Sequence, residues 1–238
     1  MQGLKNVLKK VALSSSITTY LQRASSLYLH GKGGYAIFPS HLQNDHALDL
    51  IHTIKSENEM LLSDLEALQI YVTAQKTEKI PGEIAEVGVY KGGSAKLIRE
   101  VTRKPLHLFD TFEGLPELSK SDDPKSFKSG DCYATLESVQ VYLKEYSDIR
   151  FYKGLFPQTA GQIKNTKFSF VHFDVDMYES TKSCLEFFYP RMSPGGAMIS
   201  HDYPGFVGVK KAFDEFFVDK PEIIIETFGT GQALVIKV

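Results

Sequence analysis

The sequence predicts an α/β protein: a mostly parallel sheet with helices on both faces and an antiparallel hairpin at its C-terminal edge. Three observations carry that expectation. From residue 83 onward, short apolar runs of strand character alternate with helical patterns, the signature of a parallel sheet covered on both faces. Glycines and acidic residues collect just after the strand runs. The chain closes with "EIIIETFGTGQALVIKV", two apolar runs joined by a Gly-Thr-Gly turn, which reads as a hairpin.

Residues 1 to 40 are irregular, with a glycine-rich bend at "HGKGGY". Leu4, Val7, Leu8 and Val11 mark one face of a helix. That face suits packing on the chain's own domain or on a second copy, so a homodimer is expected. Residues 44 to 75 are helix-rich. After Pro81-Gly82 the pattern changes: "EIAEVGV" (83 to 89) is a strand and "GGSAKLIREVT" (92 to 102) a helix. "PLHLFD" (105 to 110) is the second strand, followed by a polar stretch from Pro116 to Gly130 and a helix near 133 to 146. "IRFYKG" (149 to 154) is the third strand, with a short helix after Pro157. "KFSFVHFD", "ESTKSCLEFFYPRM", "GGAMISHD" and "GVKKAFDEFF" then give strand, helix, strand, helix. Seven strands are expected in all. The expected organisation is an N-terminal segment, 1 to 60, for substrate or dimer contacts, and one domain over 61 to 238.

Composition narrows the function classes. A chain of 238 residues that is 42% hydrophobic can bury a substantial core. Its net charge of −2 provides no basic field for nucleic acid. Cys132 and Cys184 lack the paired spacing of a disulfide framework or a cysteine zinc site. No apolar run approaches the roughly 18 residues of a membrane span, and the N-terminus lacks the compact apolar stretch of a secretory signal. The expectation is a cytoplasmic protein.

Ligands bind beyond the carboxyl ends of the strands in such sheets. Glu86 to Ser94, Asp110, Gly154, Asp174 to Asp176 and His201 to Asp202 fall along that rim. "HFDVDMYEST" runs a buried strand into Asp174 and Asp176. If the chain stays extended, the two carboxylates share a side, roughly 6 to 7 Å apart, and repel unless a positive group lies near. Acids opening the next helix are the competing explanation. The dinucleotide pattern G-x-G-x-x-G needs glycine where Tyr90 stands, and no G-x-x-x-x-G-K-[ST] loop occurs. Asp110 at the end of the second strand suits a ribose diol.

Together, "EVGVYKGGS", "LFDTFEGLP", "FDVDMYEST" and "LEFFYPRMSPGGAMISHDY" resemble the macrocin O-methyltransferase (TylF-type) family over about residues 60 to 238. The resemblance implies a Rossmann-like class I methyltransferase fold with S-adenosylmethionine as methyl donor. The acceptor would be the hydroxyl of a small molecule, a sugar or glycosylated natural product. By motif, Glu86, Gly88, Gly92 and Ser94 would line the methionine and ribose part of the cofactor. Asp110 would hold the ribose, with Thr111, Phe112, Gly154 and Leu155 near the base. A divalent metal, Mg²⁺, would sit on Asp174, His201 and Asp202, with Asp176 as general base. The family reads D-D-Y where this chain reads "HDY". His201 therefore leaves three options open: a ligand to Mg²⁺ or Mn²⁺, a ligand to a softer ion, or a base in a metal-free site.

Other residues read as structural. His172 and His107 lie within strands, Cys184 has core spacing with Phe187 and Phe188, and His41 and His46 precede a helix. Glu179, Ser180 and Thr181 read as a helix start and its cap. Residues 119 to 131 read equally as a solvated loop or a lid over the rim. The rival functions are a nicotinamide-dependent oxidoreductase, disfavoured by Tyr90, and a non-catalytic cofactor-binding protein.

Overall fold

The computed structural model describes residues 45–227 and 229–238. The chain divides into two compact units, Met1–Asp49 and Leu50–Val238. The expected N-terminal amphipathic helix, the dimer contact assigned to it, the bend at "HGKGGY" and His41 lie outside the described residues. His46 is exposed in the first turn of the first described helix.

Two helices precede the sheet, α1 (Asp45–Glu57) and α2 (Asp64–Lys76). α2 opens with a capping box: Ser63 Oγ accepts from the Glu66 N–H, and Glu66 Oε2 accepts from the Ser63 N–H. The strands and helices that follow are β1 (Glu83–Val87), α3 (Gly93–Val101), β2 (Leu106–Asp110), α4 (Leu136–Tyr142) and β3 (Ile149–Lys153). After them come β4 (Phe168–Phe173), α5 (Tyr178–Phe188), β5 (Met192–Ser200), α6 (Val207–Phe217), β6 (Ile225–Glu226) and β7 (Ala233–Ile236). The helix expected after Pro157 is a 3₁₀ segment, Gln158–Ile163.

The seven strands form one sheet in the order β3-β2-β1-β4-β5-β7-β6. The first five are parallel, and β7 runs antiparallel to β5 and β6. β1 to β2 steps one way across the sheet and β4 to β5 the other. Right-handed crossovers therefore put α3 and α5 on opposite faces. β4 has all six residues buried, as a central parallel strand should. Phe168 and Phe173 of β4 join Phe188 of α5 and Phe213 of α6 in the core.

β5 begins earlier than expected, at Met192, because the "SPGG" turn is absorbed into it as a bulge. Phe168 pairs with Met192 but Phe170 pairs with Ala197. The extra residues hold Pro194, which has no N–H to give a ladder, and Gly195 at φ 80°. α5 also departs from expectation. It starts at Tyr178, and none of its own residues caps it.

Candidate active site

The sheet ladder continues one step past the strand ends and sets the rim residues in a row. Gly88 N–H donates to the Phe109 carbonyl at 2.9 Å, Gly154 N–H to Asp110 at 2.9 Å, Asp174 N–H to Val87 at 2.9 Å and His201 N–H to Phe173 at 3.1 Å. After β1, β2, β4 and β5, one residue then turns left-handed: Tyr90 (φ 49°), Phe112 (53°), Asp176 (59°) and Asp202 (65°). Such backbone is costly for a side-chain-bearing residue and collects where a site needs a sharp turn. The row opens on a cavity of about 290 Å³, near the lower end for small-molecule sites.

Gly88 is required by close approach: a Cβ there would lie 1.9 Å from the Asp174 carbonyl oxygen, and its φ is 83°. Asp110 closes the same turn. Its Oδ2 accepts from Val89 N–H at 2.7 Å and Tyr90 N–H at 2.9 Å, and its Oδ1 from Phe112 N–H at 2.7 Å. A carboxylate has about four lone-pair positions, so three backbone bonds leave one on Oδ1, faced only by the Thr111 hydroxyl at 3.4 Å. Thr111 hydroxyl donates to the Gly114 carbonyl at 2.7 Å.

Gly88, Ser94, Asp110, Thr111, Gly154 and Leu155 line the cavity, and so do Asp174, Asp176, His201 and Asp202. Gly92 (φ 86°) is the N-cap of α3, Phe112 is buried, and neither is in the cavity wall. Glu86 is placed differently from the cofactor role the resemblance implies. It is fully buried and pairs across the strands with His172, Oε1 to Nδ1 2.9 Å. His107 is likewise buried, between Glu83 and Tyr152, and Cys184 is buried in the core with one side on the cavity.

The stretch Asp174-Val175-Asp176 is not extended. Met177 N–H donates back to the Val175 carbonyl at 2.6 Å, and Asp176 sits left-handed between them. Both carboxylates still reach the cavity, and a positive group does lie beside them. His201 Nδ1 is 3.0 Å from Asp202 Oδ1 and 3.4 Å from Asp174 Oδ1. Its Nε2 is 3.3 Å from Oε1 of Glu66. Burial opposes the imidazolium, but these three carboxylates outweigh it and hold His201 well above the usual histidine range. Burial first, then the charge of Asp174, pushes Asp176 up to about 9.

These residues fit a divalent ion. One ligand atom from each of Asp174, His201 and Asp202 lies within 4.8 Å of the others. Adjacent ligands about 2.1 Å from an octahedral ion stand about 3 Å apart, close to the 3.0 and 3.4 Å found here. Asp202 Oδ2 is buried with no hydrogen-bond partner, an atom that a cation would satisfy.

Two features escaped sequence reading, the Glu66 contact and the apolar wall before α2, and a third, the loop over the rim, is legible there only as one of two alternatives. Glu66 was legible as part of "SDLE", a capping signal, but its approach to His201 was not. Met60, Leu61 and Leu62, between α1 and α2, form an apolar wall of the cavity. Residues 115 to 132 lie over the rim: Leu115, Phe127 and Cys132 line the cavity, Phe127 packs edge-on to Phe206 at 4.5 Å, and Asp122 reaches α5.

Residues 55–225 match the model of the Macrocin-O-methyltransferase (TylF) family. The chain belongs to that family. Among curated proteins it is similar to the 8-demethyl-8-(2,3-dimethoxy-alpha-L-rhamnosyl)-tetracenomycin-C 4'-O-methyltransferase of Streptomyces olivaceus, at 31% identity over 60% of this chain and 60% of that protein. The matched stretch spans about 60% of the length of the curated relatives of this TylF-family chain. Its fold is similar to that of the O-methyltransferase NovP, with a TM-score of 0.63 at 23% identity, covering 72% of this chain and 79% of that one. It is also similar to the O-methyltransferase TomG of Streptomyces achromogenes, solved in complex with S-adenosylmethionine. That likeness has a TM-score of 0.56 at 15% identity, covering 82% of this chain and 91% of TomG. Among the described residues no helix is long and apolar enough to cross a membrane.

Proposed function

We propose that this chain is an S-adenosylmethionine-dependent O-methyltransferase acting on a sugar hydroxyl of a glycosylated natural product. One observation carries the reading: the glycine turn with Asp110 and the Asp174-Asp176-His201-Asp202 cluster line the same cavity. A nucleoside-bearing methyl donor and an acceptor hydroxyl can therefore meet there. The sugar acceptor follows from the family and from the rhamnosyl-directed relative. A cytoplasmic setting belongs to the same reading, as does acceptor choice by residues 1 to 60 and the loop over the rim.

In this mechanism Asp110 takes a ribose hydroxyl on its remaining lone pair. Ser94 and the Gly88 turn, which both line the cavity, receive the rest of the donor. Asp174, His201 and Asp202 would hold the divalent ion, which supplies Lewis-acid polarisation of an acceptor hydroxyl. Asp176, on the same wall, accepts the hydroxyl proton as the oxygen–methyl bond forms and the sulfur–methyl bond breaks, leaving S-adenosylhomocysteine. Its proton affinity, raised by burial and by the charge of Asp174, would fall once a cation offset Asp174, leaving the carboxylate free to take that proton. The apolar wall of Met60, Leu62, Phe127 and Phe206 excludes water, and positioning supplies much of the rate.

The test has two parts. Calorimetric titration should show S-adenosylmethionine binding where NADH does not bind. Incubation with that donor and a set of deoxysugar glycosides should give a product carrying one more methyl group, with S-adenosylhomocysteine released in equal amount. Absence of donor binding would overturn the reading.

A further inference from the structure

The placement of Glu66 goes beyond its helix cap. Its carboxylate is held from two sides: Oε2 accepts from Ser63 N–H at 2.8 Å, and Oε1 from Gly231 N–H, in the β6–β7 hairpin, at 2.9 Å. The same Oε1 stands 3.3 Å from His201 Nε2, within ion-pair distance, and that buried nitrogen makes no aligned hydrogen bond. On the far side of the ring, Nδ1 faces Asp174 and Asp202. A carboxylate behind the remote nitrogen of an imidazole is the arrangement that orients metal-bound histidines. It keeps the proton on that nitrogen and turns the other lone pair to the ion.

We propose that Glu66 is the positioning residue of the cation site. It presents His201 Nδ1 as a nitrogen donor beside Asp174 and Asp202, so the site takes a divalent first-row transition ion in preference to Mg²⁺. Imidazole is a good ligand for such ions and a poor one for Mg²⁺, which keeps oxygen ligands. The Mg²⁺ implied by the family belongs with an acidic pair, and this chain has "HD" where that pair stands. The inference rests on the cation reading above and not on methyl transfer itself.

The experiment uses the full chain stripped with a chelator and titrated calorimetrically with Co²⁺ alone and with Mg²⁺ alone, while the visible spectrum of Co²⁺ is recorded. Wild type should bind Co²⁺ at least roughly tenfold more tightly than Mg²⁺, following the ligand preference for nitrogen. H201D should narrow or reverse that ratio and shift the spectrum. E66A should weaken Co²⁺ binding roughly 10- to 100-fold. E66Q should also weaken it, because its amide can donate to Nε2 and move the ring proton to Nδ1. The deciding measurement is E66A in the H201D background, where the loss should vanish if Glu66 acts through the ring. S-adenosylmethionine affinity and circular dichroism on each variant show that the fold is retained. Equal affinity for the two ions, no Co²⁺ uptake, or the same E66A loss in both backgrounds would overturn the proposal. Intact Co²⁺ selectivity without any methyl transfer would instead overturn the proposed function and leave this inference standing.

Discussion

Asp122 Oδ1 accepts the backbone N–H of Tyr178 at 2.8 Å. The loop over the rim thus caps the helix that follows Asp174 and Asp176. The same carboxylate holds its own loop, its Oδ2 accepting from Ser119 N–H at 2.9 Å and Ser119 Oγ–H at 2.6 Å. D122A should cost about 0.5–2 kcal/mol, the range for a lost N-cap. It should also make residues 116 to 131 cleavable by protease at lower concentration. An unchanged thermal midpoint together with an unchanged cleavage pattern would count against the capping role.

Gly88 and Gly130 share a left-handed φ, 83° and 89°, but not their surroundings. A Cβ at Gly88 meets the Asp174 carbonyl oxygen at 1.9 Å, whereas at Gly130 nothing lies within 4 Å. G130A should therefore cost only the backbone term, about 1–2 kcal/mol. G88A should cost at least ~1–3 kcal/mol more from overpacking, because what it strikes is backbone. Urea denaturation of the two variants side by side measures the difference, and equal losses would refute the close-approach argument.

Asp110 bonds both the glycine turn and, in the proposed function, the ribose. D110A should weaken S-adenosylmethionine binding by about 1.5–3 kcal/mol, the range for a hydrogen bond to a charged group. It should also lower stability by releasing three backbone N–H groups. Calorimetry and thermal melting separate the two effects. Unchanged donor affinity in a folded variant would remove Asp110 from the cofactor site.

Asp176 carries a rate prediction and a pH prediction. D176N should bind donor and ion yet lose roughly 10²- to 10⁴-fold in turnover, as for a missing general base. In the chelated protein, Asp176 keeps its proton to about pH 9 when folded, against 3.8 for the ordinary carboxyl. The folded state then binds more protons than the unfolded one, so this contribution to stability falls as pH rises through that window. His201, also raised from 6.5, adds a slope of the same sign only at higher pH. Thermal midpoints between pH 4 and 6.5 should thus decline in wild type and decline less steeply in D176N, where Asp202, also raised by burial, keeps a slope of the same sign. Parallel curves would show that Asp176 does not titrate as described.

The sequence by itself determined the alternation of strands and helices, the antiparallel last pair and the line of polar residues past the strand ends. These follow from residue period and from glycine and proline, which act within a few positions of the chain. It also placed Asp174, Asp176, His201 and Asp202 on one rim, because parallel strands all end on the same side. Tertiary structure alone decided what each rim residue faces. Glu86 follows the motif yet turns inward to His172, its cross-strand neighbour in the register. The cap of α5 comes from Asp122, fifty-six positions away, and not from Ser180 or Thr181. Asp174 and Asp176 are joined by a left-handed turn, so strand period no longer sets their spacing. Glu66 meets His201 only because α2 packs beside the β6–β7 hairpin, whose Gly231 N–H fixes the carboxylate. Side-chain direction depends on backbone turns and on partners distant in sequence, and neither leaves a periodic trace in the residues themselves.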